Sequence, residues 1–324
     1  MPRSFFFLIT LFLFSLFGTT TSARTTEAQK GEGIYQLLKR NGLNEKAHFE
    51  EFLRLNKPKL GPDNSLYQGR AYELPVSERN PTIEPLFGKA KQNVEHVDTA
   101  LKGCVFYLVS GHGGPDPGAV GKVSGHIVTE DEYAYDVTLR LGRKLISHGA
   151  TVHFIIRDPS VGIRDDRYLK NNKTEVCYPN LKIPLNQKLR LKQRADAVNK
   201  FHKQTPSAAY ARCLVVHIDG RSRNQDIDVF FYHHKTSSKG KRLATELRDT
   251  MKAKYKAAQP NRSYEGTVST RNLYMIDNTT PPVVFMELGN IHNERDQKRI
   301  LQSGNRQALA NWLCQGILND RKKG

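Results

Sequence analysis

The chain has 324 residues, 38% of them hydrophobic and 25% charged. That is enough for one substantial core plus a small module, and it excludes an intrinsically disordered chain. The net charge of +18 attracts polyanions; the plain alternative is a solvated surface on which Lys outnumbers Glu.

Met1-Pro2-Arg3 gives a positive start, Phe5 to Phe17 is an almost unbroken apolar run, and small polar residues end in Thr21-Ser22-Ala23. This is the layout of a secretory signal peptide over 1–23, with cleavage after Ala23. The apolar run is shorter than the ~20 residues a membrane span needs, and an uncleaved anchor is the alternative. No Cys follows the run, which argues against a lipidated N-terminus. No later segment is apolar enough to span a bilayer, so the mature chain is expected to be soluble and outside the cytoplasm. Export turns the reading of the basic charge away from nucleic acid and toward an acidic extracellular polymer or an anionic membrane surface. Cys104, Cys177, Cys213 and Cys314 allow three full pairings but form no C-x-x-C. A domain of this size does not need disulfides. Buried thiols are expected at Cys104 and Cys213, which open apolar strands.

Residues 24–30 are polar and read as loose. A small module follows over 31–75. Ile34, Leu37 and Leu38 share a helical face, and Phe49, Phe52, Leu53 and Leu55 repeat the pattern. Pro58, Gly61 and Pro62 then break the chain, and Gly69 to Pro75 reads as a short strand with a Pro stop. The order helix, Asn41-Gly42 turn, helix, Leu55-Asn56-Lys57-Pro58 and Gly69-x-x-Tyr72-x-Leu74-Pro75 resembles a LysM domain, the small glycan-binding βααβ module. The usual opening strand and its Gly-Asp-Thr turn are not seen. The resemblance implies that Asn56 and its neighbours lie near a glycan groove. The other reading is a helical pro-segment or spacer. Residues 76–102, polar and carrying Pro81 and Pro85, read as a linker.

From Gly103 the pattern changes. Cys104–Val109, Val152–Ile156, Cys213–Val216 and Val283–Met286 read as strands, with helices near 131–148 and 187–203 between them. Alternating strands and helices predict an α/β domain with an open, twisted, mostly parallel sheet flanked by helices, over 103–319. The polar stretch 165–188 reads as a surface insertion.

In open α/β sheets, sites gather beyond the carboxyl ends of the strands. Three apolar strands here end in chemistry: CVFYLVSGHGG delivers His112, CLVVHIDG delivers His217 and VVFMELGN delivers Glu287. Glu130 opens the helix near 131–148, and Thr129 to Glu132 reads as a capping box in which Glu132 folds back and frees Glu130. Two His and one Glu form a ligand set that catalytic Zn2+ uses, with a further position kept for water. Glu287, on an apolar strand, is the candidate acid–base carboxylate; taken alone, it reads more readily as a cap on the following loop. His126 is a rival ligand, and the pair His233-His234 reads as surface. Arg221 and Arg223 are candidates for binding a substrate carboxylate, or belong to a solvated loop.

The runs SGHGGPDPGAVG, IIRD at Ile155–Asp158, LKQRADAVN at Leu191–Asn199, VVHIDG at Val215–Gly220 and PPVVFMELGNIHN at Pro281–Asn293 resemble the zinc-dependent N-acetylmuramoyl-L-alanine amidase family, type 3. The resemblance spans about 103–318. It implies His112, Glu130 and His217 as Zn2+ ligands and Glu287 as the catalytic carboxylate. It also implies peptidoglycan as substrate, cut between N-acetylmuramic acid and L-alanine, and a periplasmic or cell-wall location. An anionic wall polymer would then meet the basic surface, with no nucleic acid involved. The family's Ser-x-His-Ala-Asn is here Val216-His217-Ile218-Asp219-Gly220, and its Leu-Gly-Phe-x-Ser-Asn is Leu288-Gly289-Asn290-Ile291-His292-Asn293. Neither change removes a ligand; both alter the groove wall. A zinc peptidase acting within the stem peptide and a non-catalytic wall-binding protein are the rival readings.

Overall fold

The structure, a computed structural model, describes residues 25–75, 81–220 and 228–324, except 42, 44, 207 and 262. The expected signal segment, 1–23, lies outside the described residues, as do Arg221 and Arg223. The chain divides into two compact units at Glu78/Arg79. Among the described residues no helix is long and apolar enough to cross a membrane.

The first unit contains β1 (Thr25–Glu27), α1 (Ile34–Arg40), α2 (Glu45–Asn56) and β2 (Ala71–Glu73). β1 pairs antiparallel with β2, Thr25 opposite Glu73. The segment read as loose therefore holds the opening strand. Its three residues, TTE, carry no apolar alternation, so only the pairing with β2 reveals it. Ile34, Leu37, Leu38, Phe52, Tyr72 and Leu74 form a small core between helices and strands. Asn56 is a correction to the expected glycan-facing residue, because it is fully buried. Its amide nitrogen donates to the Phe52 and Glu73 carbonyls at 3.0 and 2.7 Å, and its Oδ1 accepts from the Glu73 N–H at 2.8 Å. Asn56 thus ties the end of α2 to β2 and has no polar atom left to offer a sugar.

The second unit opens with a hairpin of β3 (Thr82–Ile83) and β4 (Asn93–Val94). The stretch expected to be a linker is largely part of this unit: Leu86, Phe87, Val94 and Leu101 are buried in the main core. Phe87 meets Phe154 edge-to-face at 5.7 Å. A few well-spaced apolar side chains dock an otherwise polar stretch, which composition alone does not show.

The chain continues through β5 (Cys104–Ser110), β6 (Val120–Val123), β7 (His126–Thr129), α3 (Glu130–Ser147), β8 (Thr151–Phe154), β9 (Ile156–Arg157), β10 (Val176–Cys177) and β11 (Leu181–Lys182). Then come α4 (Gln187–Gln204), β12 (Tyr210–Asp219), β13 (Phe230–His233), α5 (Ser238–Ala258), β14 (Val268–Thr270), α6 (Tyr274–Asp277), β15 (Val283–Asn290), α7 (Glu294–Leu301) and α8 (Ser303–Lys322). The main sheet has six strands in the order β14-β13-β15-β12-β5-β8. β8, β5, β12 and β15 are mutually parallel, while β13 runs antiparallel to β15. The mostly parallel α/β expectation holds, with β13 and β14 as the reversed edge.

Both faces of the sheet are covered, so the strands read as continuous apolar runs. Their period of two divides the interior. Phe106, Leu108, Leu214, Val216, Val284 and Met286 pack with α3, α5 and α8. Tyr107, Val109, Cys213, Val215, Val283 and Phe285 pack toward α4 and α6. All four cysteines are free and buried, as expected for Cys104 and Cys213.

The 165–188 stretch is more than a surface insertion. β10 pairs with β9 and β11, and Leu169, Glu175, Cys177 and Ile183 are buried. Arg306, itself fully buried, binds Asp136 at 2.6 Å and donates to the Arg164 and Asp166 carbonyls. This stitches α8 to α3 and to the start of that stretch.

Candidate active site

Strand parity sets up the site. His217 continues the series Cys213, Val215 along β12, and Glu287 continues Val283, Phe285 along β15. The two strands are parallel neighbours with His217 directly opposite Glu287. Both side chains therefore lie on the same sheet face, near the carboxyl ends of their strands. The His217 ring stacks on Phe285, centroids 4.5 Å apart.

His112 follows the end of β5 in the glycine-rich loop. Its backbone is left-handed, with φ of 56°, a conformation uncommon outside glycine and worth explaining wherever it occurs. Here the turn points the imidazole back over the strand ends. The buried Arg194 of α4 donates to the His112 carbonyl and pins the turn. His112 Nδ1 pairs with Asp116 Oδ2 at 2.8 Å, which leaves Nε2 facing Glu130 Oε2 at 3.2 Å. Arg190, also on α4, holds Asp116 from the other side.

Glu130 is the first residue of α3 and is buried. Its Oε1 meets His217 Nδ1 at 2.7 Å and accepts from the Ile218 N–H at 3.1 Å; its Oε2 accepts from the Ala119 N–H at 2.9 Å. The expected capping box is not formed. Thr129 makes no side-chain cap bond. Glu132 instead accepts from the Asn172 N–H at 2.6 Å and pairs with Arg164 at 2.7 Å. Glu130 is still the carboxylate of the pair that faces the histidines, because Glu132 is occupied by the 164–172 loop.

Ligand atoms of His112, Glu130 and His217 lie within 4.8 Å of one another, so the three form a possible metal site. The surroundings fit that use. A Cβ on Gly118 would come within 2.6 Å of Glu130 Oε2 and 2.7 Å of the His112 ring, and one on Gly111 would strike the His217 ring at 2.5 Å. The donor set is the imidazole and carboxylate set of open zinc sites. The Asp116–His112 contact is the carboxylate–histidine pairing that orients metal-binding imidazoles.

Electrostatics separate the roles of the two glutamates. Burial raises the Glu130 pKa, but hydrogen bonds from His112 and His217 outweigh it and hold Glu130 below the ordinary carboxylate range. Burial pushes Glu287 well above that range, reinforced by the negative charge of Glu130. Glu287 Oε2 is buried without a hydrogen-bond partner, a costly arrangement for a structural carboxylate. Burial lowers the His217 pKa, opposed by Glu130. Burial would also lower His112, but Asp116 and Glu130 raise it to about 9. Asp116, raised by burial, is brought down to about 2 by His112.

These shifts give the metal-free chain a pH signature. His112 contributes stability fully below its unfolded pKa, near 6.5, and loses it as pH rises through about 9. Asp116 contributes above its unfolded 3.8 and loses it as pH falls through about 2. Chelator-treated protein is therefore expected to unfold at lower urea concentration at pH 10 than at pH 6. Equal midpoints, or the reverse order, would count against this pairing.

The other sequence candidates separate. His126 is exposed and stacks on Tyr168, with ring centroids 3.9 Å apart, and it is outside the metal cluster. His233 is buried, unlike the expected surface residue, with Nδ1 against the His234 carbonyl at 2.9 Å. Asp116, Arg190 and Arg194 are the residues that sequence reasoning missed. Asp116 stood in the glycine-rich motif four positions after His112, and Arg194 stood in LKQRADAVN. Spacing alone gave neither a partner.

The family model described as N-acetylmuramoyl-L-alanine amidase matches residues 107–319. No curated protein sequence matches the chain. Among solved structures, the CwlD amidase from Clostridioides difficile, in complex with the GerS lipoprotein, aligns with a TM-score of 0.50 at 17% identity, over 68% of this chain and 100% of that one. It shares the fold. The catalytic domain of CwlV, an N-acetylmuramoyl-L-alanine amidase from Bacillus (Paenibacillus) polymyxa var. colistinus, aligns at 20% identity with a TM-score of 0.46, over 67% of this chain and 97% of that one. With its family motifs gathered at one end of an α/β sheet, the chain belongs to the N-acetylmuramoyl-L-alanine amidase family and is a peptidoglycan hydrolase of that class.

Proposed function

We propose that the chain is an exported zinc enzyme in which His112, Glu130 and His217 hold the metal and Glu287 moves the proton. The convergence of three ligand atoms beside a buried, unpartnered carboxylate oxygen supports this best. Zinc, when bound, supplies Lewis acidity and makes a water acidic near neutral pH. Glu287 accepts a proton from the attacking water and returns it to the departing nitrogen of L-alanine. Its raised pKa suits a group that must both take and give a proton. With a dication among its neighbours, Glu287 moves back toward the range useful at neutral pH. Asp116, Arg190 and Arg194 hold His112 in its strained turn, so the imidazole need not reorganise during the reaction.

The first unit is read as a LysM-like module that keeps the enzyme on glycan strands. Its β-α-α-β order supports the reading, while its contact residues are other than Asn56. The basic surface favours an acidic wall, and the leading 1–23 segment fits export to the periplasm or cell wall. Arg221 and Arg223 remain proposed contacts for a stem carboxylate. Mass spectrometry of purified sacculi digested with the enzyme tests the bond assignment. Free peptides beginning at L-alanine are expected. Shortened stems still joined to sugar would make the enzyme a zinc peptidase instead, and wall binding without soluble products would make it a binding protein.

A further inference from the structure

A groove of about 850 Å3 lies between the β6–β7 hairpin and the start of α7. Lys122, Arg167, His292, Arg295 and Lys298 line it against a single acidic residue, Glu294. Lys122, Arg167 and Lys298 are exposed, so their charges are hydrated and available to a ligand.

Both walls grow out of the candidate active site. On one side Ala119, whose N–H donates to Glu130 Oε2, leads straight into β6 and Lys122. On the other, β15 carries Glu287 and ends at Asn290, and the next residues reach His292 and α7. The walls meet where a Cβ on Gly121 would lie 3.1 Å from the Ile291 carbonyl oxygen. His292 Nε2 lies 3.8 Å from where a Cβ on Gly220 would sit, three residues beyond His217. The Asn293 side chain caps α7 through the Arg295 and Asp296 N–H groups, which fixes the start of the basic helix face. Both walls of the groove thus continue in the chain from segments of the candidate site, and both carry positive charge.

We propose that this groove binds the peptide half of the substrate through its free carboxylates. The inference rests on the amidase reading, in which a stem peptide departs from the site. An extended peptide spans about 3.3–3.6 Å per residue, so successive carboxylates meet basic groups along the groove. Each exposed contact is weak and screened by salt. Several together steer and orient an acidic peptide. A peptide is favoured over a long polyanion because both walls continue in the chain from segments of the candidate site, one from Ala119 beside Glu130 and the other from the strand that carries Glu287.

The test uses the full chain and two disaccharide–peptide substrates: one with free stem carboxylates, the other with the same carboxylates converted to amides. Wild type is expected to prefer the acid form, and Lys122→Glu combined with Arg167→Glu is expected to cut that preference in kcat/KM about tenfold. Lys298→Glu, on the opposite wall, should act in the same direction. All three positions are exposed, and thermal melting checks that the variants fold. Binding of the free acidic peptide, followed by fluorescence anisotropy at low and high salt, reads the groove without catalysis. Loss of acid-peptide binding in the variants supports the groove even if wild type cleaves neither substrate, and only the amidase reading then falls. Normal cleavage with unchanged acid preference and unchanged peptide binding overturns the groove and leaves the amidase reading standing. Competition by polyphosphate without any acid-over-amide preference assigns the groove to a polyanion and also overturns the proposal.

Discussion

Replacing Glu287 by Gln is expected to lower turnover of purified muropeptides by about 10²–10⁴-fold, the range for losing a positioned general acid–base group. The zinc content should stay that of the wild type, because Glu287 is outside the cluster of His112, Glu130 and His217. The Gln side chain keeps the size of Glu but takes no proton. Folding should not suffer. Glu287 is buried with Oε2 unpartnered and with its pKa raised by burial and then by Glu130. Removing its charge relieves that cost, so the variant's melting temperature should match or exceed the wild type's. Full turnover in Glu287→Gln would remove this residue from the mechanism. A parallel loss of zinc would recast it as a ligand.

Replacing His217 by Ala is expected to abolish both zinc binding and cleavage. Ala supplies no donor atom, and open zinc sites rely on three protein ligands. The change also leaves Glu130 Oε1 without its 2.7 Å partner, although the Ile218 N–H at 3.1 Å remains. His217 stacks on Phe285 at 4.5 Å, so the substitution opens a cavity over β15 and should cost stability as well. Two controls separate these effects. Chelation of the wild type should remove activity with the fold intact, and added zinc should restore it. Metal analysis of folded His217→Ala should find far less zinc per chain than in wild type. Wild-type zinc content in that variant would refute His217 as a ligand, and full activity under chelation would refute the metal mechanism.

Much of the site was legible because the sheet turns sequence into position. A parallel strand covered on both faces must be apolar throughout, so a His or Glu at its carboxyl end stands out. That logic placed His112, His217 and Glu287 at one end of the sheet before any contact was known. Glu130 was legible only through the choice between it and Glu132, and the reason offered for that choice was wrong. Glu132 does not fold back on the helix start; it binds Asn172 and Arg164, residues 40 and 32 positions later in the chain. Local sequence cannot show a partner that distant.

The same limit explains the other differences. β1 has three residues and no periodicity, and it becomes a strand only by pairing with β2, 44 or more residues away. The stretch read as a linker is polar on average, yet Leu86, Phe87, Val94 and Leu101 dock it into the core. Asn56 looked like a polar residue in a binding motif, but tertiary contacts with Glu73 turned it inward. By itself the sequence determined the α/β class, the order of the strands that carry the candidate site and the identity of their terminal residues, because burial and hydrogen bonding within an element depend on neighbours in the chain. Tertiary structure alone decided that His112 Nε2 faces Glu130 while Asp116 holds Nδ1, that Glu287 lies opposite His217 with an unpartnered oxygen, and that Lys122 and Arg167 share a groove with Lys298. Those facts depend on which distant segments pack together, and no local period encodes that.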